Sequence, residues 1–143
     1  MKKLLISALL FMSSQLAFAE LDKNYLSQID KMIGENQYEK ALDAFRYYFK
    51  ESKKESSLGG VRLSFCLSAW VSLGKIYPPA MSELISMSNE RKNLLLAGAG
   101  NSEMFQEYNA INRYIEKDNE TLATFIEIEK NFPEQAASYH FFC

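Results

Sequence analysis

Apolar residues recur along this chain at helical spacing, and no segment shows sustained strand alternation. Between residues 37 and 53, Tyr38, Ala41, Leu42, Phe45, Tyr48 and Phe49 fall at i, i+3, i+4, i+7, i+10 and i+11. Glu39, Lys40, Asp43, Arg46 and Lys50 take the opposite face. Such a segment is an amphipathic helix that buries one stripe. A shorter helix over about residues 22–34 should precede it, ending near Gly34, where a left-handed cap costs little. Residues 58–77 carry apolar side chains on two sides. Leu63, Cys66, Leu67, Trp70, Leu73 and Tyr77 form one stripe, and Phe65, Val71 and Ile76 lie across from it. The pattern predicts a helix buried on both sides, in the middle of the structure.

Punctuation divides the rest. Pro78-Pro79 stops the helix, because a residue before proline is pushed out of helical geometry and a proline suits a helical first turn. The next helix carries Met81, Leu84 and Ile85 and continues weakly towards Leu94, Leu95 and Leu96. AGAGNS, residues 97–102, is the clearest break, with Asn101 or Ser102 as N-cap. Phe105, Tyr108, Ile111, Asn112 and Ile115 mark another helix, and Leu122, Phe125, Ile126 and Phe132 the one after it. Pro133 opens a short final helix towards Cys143. The expected fold is all-α: helical hairpins joined by short turns.

The N-terminus changes where this fold is expected to work. Lys2 and Lys3 precede LLISALLFMSSQLAF and the small-residue pattern Ala17-Phe18-Ala19. That combination reads as a secretory signal occupying residues 1–19, with residues 20–143 as a single domain. The expected location is periplasmic or secreted, with no membrane insertion after cleavage. Sixteen basic against 18 acidic side chains give a formal charge of −2 for the whole chain, and without Lys2 and Lys3 it becomes −4. A mildly acidic surface argues against nucleic acid, whose binders carry a basic stripe, and against anionic membrane surfaces. Export also allows disulfides. Cys66 and Cys143 can pair within the chain, pair between chains, or stay free.

Trp70-x-x-Leu73-Gly74-x-x-Tyr77 resembles the first-helix signature of the tetratricopeptide repeat. Large residues at that spacing pack on a partner helix, and a small residue at Gly74 allows close approach. Residues 36–45, with Tyr38, Ala41 and Phe45, are similar to the family's second helix. Phe125 through Pro133 resembles the end of a repeat. The resemblance implies a TPR-like α-solenoid of about three hairpins plus a C-terminal helix. It makes Trp70, Leu73, Gly74 and Tyr77 structural core. It also implies a concave binding face of Ser68, Val71 and Lys75 from one hairpin and Arg113 and Tyr114 from the next. In a regular solenoid each repeat touches only its neighbours, so direct pairing of Cys66 with Cys143 would need a tightly curled array.

Catalytic chemistry is sparse. His140 and Cys143 lie at helical spacing, but two ligands do not make a zinc site. Gly98-Ala99-Gly100 lacks the Lys-Ser/Thr of a phosphate loop. Glu55-Ser56 and Tyr108-Asn109-Ala110 resemble two motifs of lytic transglycosylases, but the Gly-Leu-Met-Gln segment expected between them is missing. Glycoside cleavage needs an acid of raised pKa, and Glu55 sits in the polar run KKESS. The expectation is therefore a protein with no catalytic residues, metal or cofactor. Its partner would be another protein or peptide, in an inhibitor, immunity or adaptor role. A peptidoglycan-active enzyme or a disulfide-linked dimer is the alternative.

Overall fold

The computed structural model describes Leu21 and residues 23–139, and every regular element among them is helical. The expected leader and the pair His140 and Cys143 lie outside the described residues. Helix α1 (Lys23–Gly34) and α2 (Tyr38–Glu51) form a first hairpin. Two short 3-10 turns, Ser52–Lys54 and Ser56–Leu58, lead into α3, which spans residues 59–76. Then follow α4 (Pro78–Leu96), α5 (Ser102–Tyr114), α6 (Asp118–Asn131) and α7 (Pro133–Tyr139). Among the described residues, closely packed helix pairs lie one or two places apart along the chain. No helix there is long and apolar enough to cross a membrane.

Local chemistry sets most of these boundaries. Tyr77, ahead of Pro78, is extended at φ −131°, ψ 92°, and α4 starts at once. Asn101 accepts a hydrogen bond from the Met104 amide at 2.8 Å and so caps α5. Asn101→Ala should lower stability by about 1 kcal/mol, read as a reduced urea midpoint at unchanged slope. The expected left-handed cap at Gly34 is displaced. Gly34 remains helical, and the positive φ of 59° falls on Asn36, whose side chain accepts from the Tyr38 hydroxyl at 2.7 Å. Asparagine tolerates that conformation better than most residues. Gly98, at φ 73°, cannot be replaced so easily, because an added Cβ would lie 2.6 Å from the Phe132 ring.

Trp70 is the centre of the larger core. Its ring stacks on Phe45, with centroids 5.5 Å apart, and meets Phe49 edge-on at 6.2 Å. Its indole N–H donates to the Ala80 carbonyl at 3.0 Å, tying α3 to α4. Leu73 and Gly74 are buried beside it, and Tyr77 is half-buried. A Cβ on Gly74 would sit 3.0 Å from Met81 Cβ, so the glycine does permit close approach of α3 and α4. A second core, of Leu95, Phe105, Tyr108, Ile128, Ala136 and Tyr139, holds the C-terminal helices.

Two burial expectations fail. Helix α3 is not buried on both sides: Phe65 is 71% exposed, Ile76 is exposed and Val71 half-buried. The expected stripe of Cys66, Leu67, Trp70 and Leu73 is buried as read, and the side across from it faces solvent; ahead of Leu67 a π-helical segment, Arg62–Cys66, widens the turn. Arg62 is buried where Leu63 was expected. On α6, Leu122 and Ile126 are exposed, and Thr121 and Thr124 are buried instead. A polar relay explains this rotation. Ser88 donates to Asn112, Asn112 donates to Thr121 at 2.9 Å, and the Tyr108 hydroxyl meets Thr124 Oγ1 at 2.9 Å. These bonds satisfy polar groups from three helices that would otherwise be buried without partners.

Candidate functional site

The residues expected to form a concave face are placed on two helices, Ser68, Val71 and Lys75 on α3 and Arg113 and Tyr114 on α5. Lys75 and Arg113 are exposed, whereas Val71 and Tyr114 are half-buried against the larger core. Ser68 borders a groove of about 540 Å³ between α1 and α3. Leu26, Ser27 and Asp30 form one wall, and Val61, Phe65, Ser68 and Ala69 the other. On α3 these positions recur at i, i+4, i+7 and i+8, the spacing of a helical ridge. Phe65 is a large aromatic left in solvent beside an apolar floor.

A second assembly is built on charge. Glu107 of α5 is 3% exposed, and Arg62 of α3 is 4% exposed. Arg62 Nη1 donates to Glu107 Oε1 at 2.8 Å. Arg91 of α4 donates from Nε to Oε2 at 2.8 Å, with its Nη2 2.7 Å from the same oxygen. Lys53 Nζ lies 3.3 Å from Oε1 and 3.4 Å from the more exposed Glu103. Both guanidinium groups also cover Phe49, with Cζ 4.8 and 5.9 Å from the ring centre. Burial by itself pushes the Glu107 carboxyl up, but the Arg91 charge and hydrogen bonds from both arginines outweigh it, leaving the group below the usual carboxylate range.

This network closes one side of a cleft of about 360 Å³. Arg46, Lys50, Lys53, Arg62 and Arg91 line it with Glu83, Glu90 and Glu107, over Phe49, Trp70 and Met87. Arg46 is held by Glu83 at 2.9 Å and by Asp43 at 2.7 Å. Lys53 and Arg62 also border a second cavity, of about 500 Å³, which includes Gly59, Gly60 and Glu103. Arg62 Nε is buried and has no acceptor. An unmet buried donor of this kind costs on the order of 1–3 kcal/mol.

The remaining sequence candidates separate. Glu55 is exposed in the link between α2 and α3, and is not the buried acid that glycoside cleavage requires. Cys66 is a buried thiol, which burial pushes up to about 12, so it stays protonated and unreactive at neutral pH. Its expected partner Cys143 lies outside the described residues. Comparison with protein-family models, curated proteins and solved structures finds no match in any of the three.

Sequence reading missed Arg62, Arg91 and Glu107. One signal was present: Glu107 stands four residues before Ile111, and Arg62 four before Cys66. Each intrudes on an apolar stripe, and their charges are opposite.

Proposed function

We propose that this chain is a non-catalytic scaffold of the bacterial cell envelope that binds another protein, exported by cleavage behind Ala19. Its architecture is a degenerate TPR-like array of about three hairpins plus a C-terminal helix. Packing between helices one or two places apart is compatible with such an array. The observation that carries the binding reading is the groove between α1 and α3, with Phe65 71% exposed at its edge. A groove walled by two helices and lined mostly by apolar surface accepts the apolar ridge of a third helix, so the occupant is an amphipathic helix of the partner. Such a contact is compatible with an inhibitor, an immunity or an adaptor role.

Tagged protein purified from the native envelope after mild crosslinking should bring down one stoichiometric partner. Phe65→Glu should abolish capture while leaving the helical circular dichroism signal unchanged, because the ring is in solvent. Capture that survives Phe65→Glu contradicts the groove. Hydrolysis of purified peptidoglycan that is lost on Glu55→Gln contradicts the non-catalytic reading.

A further inference from the structure

Helix α6 carries a second exposed apolar surface. Leu122 is 60% and Ile126 56% exposed, while Thr121 and Thr124 are buried. Hydrogen bonds fix this rotation. Turning Leu122 and Ile126 inward would strip Asn112 of its acceptor Thr121 and the Tyr108 hydroxyl of Thr124, both at 2.9 Å. A single exposed leucine is ordinary. Here Asp118, Leu122, Ile126 and Lys130 are all exposed and fall at i, i+4, i+8 and i+12, one ridge running along α6. Among the described residues the ion pairs of α6 are those of Glu120, with Lys92 and Lys117, and neither Asp118 nor Lys130 has an ion-pair partner.

We propose that a second copy of this chain docks on this ridge in a two-fold dimer. The order acid, apolar, apolar, base is complementary to itself when reversed. Two such ridges laid antiparallel set Leu122 against Ile126 of the second copy and Asp118 against Lys130 of the second copy, and the two-fold axis repeats both contacts. A parallel copy would instead bring like charges together at both ends. Ala123, exposed beside the ridge, leaves room for close approach. Glu127 lies about 100° round the helix from Ile126, off the ridge. One helix against one helix is a small interface, below the about 1,200 Å² of a standard complex, so the dimer is weak and forms with rising concentration.

Sedimentation equilibrium of the purified protein should show monomer and dimer exchanging between about 10 μM and about 1 mM. Reductant is present throughout, so that Cys143 forms no disulfide. Leu122→Glu should abolish the dimer and leave the helical circular dichroism signal unchanged, because the side chain is in solvent. Asp118→Lys should weaken association about tenfold, since two attractive pairs become repulsive. Adding Lys130→Asp to Asp118→Lys should restore the dimer. Both changes oppose the dipole of α6, so an effect on the helix alone would deepen the loss instead of reversing it. Glu127→Lys makes the same change in net charge as Asp118→Lys and should alter association less than about twofold. The proposal is overturned if the protein stays monomeric across that range, if the charge-swapped double variant is as weak as Asp118→Lys, or if Glu127→Lys weakens association as much. Phe65→Glu should leave the dimer intact, so failure of the groove and failure of the ridge are separate results. Self-association lost on Phe65→Glu would place the ridge in the groove of the next copy and overturn the two-fold contact.

Discussion

Trp70→Ala is expected to remove about 3–5 kcal/mol of folding stability, the range for deleting a buried aromatic side chain. Three losses combine. The stack on Phe45 and the edge contact with Phe49 disappear, leaving a void between α2 and α3. The Ala80 carbonyl, an acceptor for the indole at 3.0 Å, loses its partner at the start of α4. Small domains are stable by only about 5–15 kcal/mol, so the variant should unfold at a much lower urea concentration. Trp70→Phe keeps most of the ring volume and should lose far less, roughly the 0.5–1.5 kcal/mol of one hydrogen bond together with modest repacking. Equal losses for the two variants would place the stability elsewhere than in the aromatic stack.

Glu107→Gln should be about as damaging, at about 3–5 kcal/mol, for an electrostatic reason. The amide keeps the shape but leaves Arg62 and Arg91, both held within 2.8 Å of the carboxylate, without a buried counter-charge. Joint replacement of Arg62 and Arg91 by Met and Glu107 by Leu should recover most of the loss, because the desolvation cost then disappears too. The pH dependence has a definite sign. The folded carboxyl titrates below its ordinary value of 4.5, so its contribution is complete above about that pH and is lost as pH falls through the depressed value. The difference between wild type and Glu107→Gln in thermal melts should therefore be widest near pH 7 and narrow as pH falls below 4.5 towards pH 3. Parallel curves across that range would contradict the assignment.

Helix type and order could be read directly from the chain because period, prolines and caps act locally. Tyr77 is extended where Pro78 requires it, Asn101 caps where its side chain can reach back, and Gly74 sits where Met81 needs room. Faces were harder. The π turn at Arg62–Cys66 widens α3 locally and brings Arg62 inside where Leu63 was expected, and Phe65, on the side across from Trp70, is left in solvent. On α6 the buried face is chosen by hydrogen bonds to Asn112 and Tyr108, which lie on another helix and leave no trace in the local hydropathy. The candidate sites were legible only in fragments for the same reason. Ser68 lies in the groove, but its opposite wall comes from α1, and the cations of the cleft come from three helices and the turn after α2.

The claim that a partner protein docks at the groove is tested most directly by a photo-reactive benzophenone side chain at position 65, irradiated in the native cells. Position 127, exposed on α6, serves as the reference. The account predicts one discrete crosslinked product from position 65 and none from position 127. No product at position 65, or the same products from both positions, would contradict it.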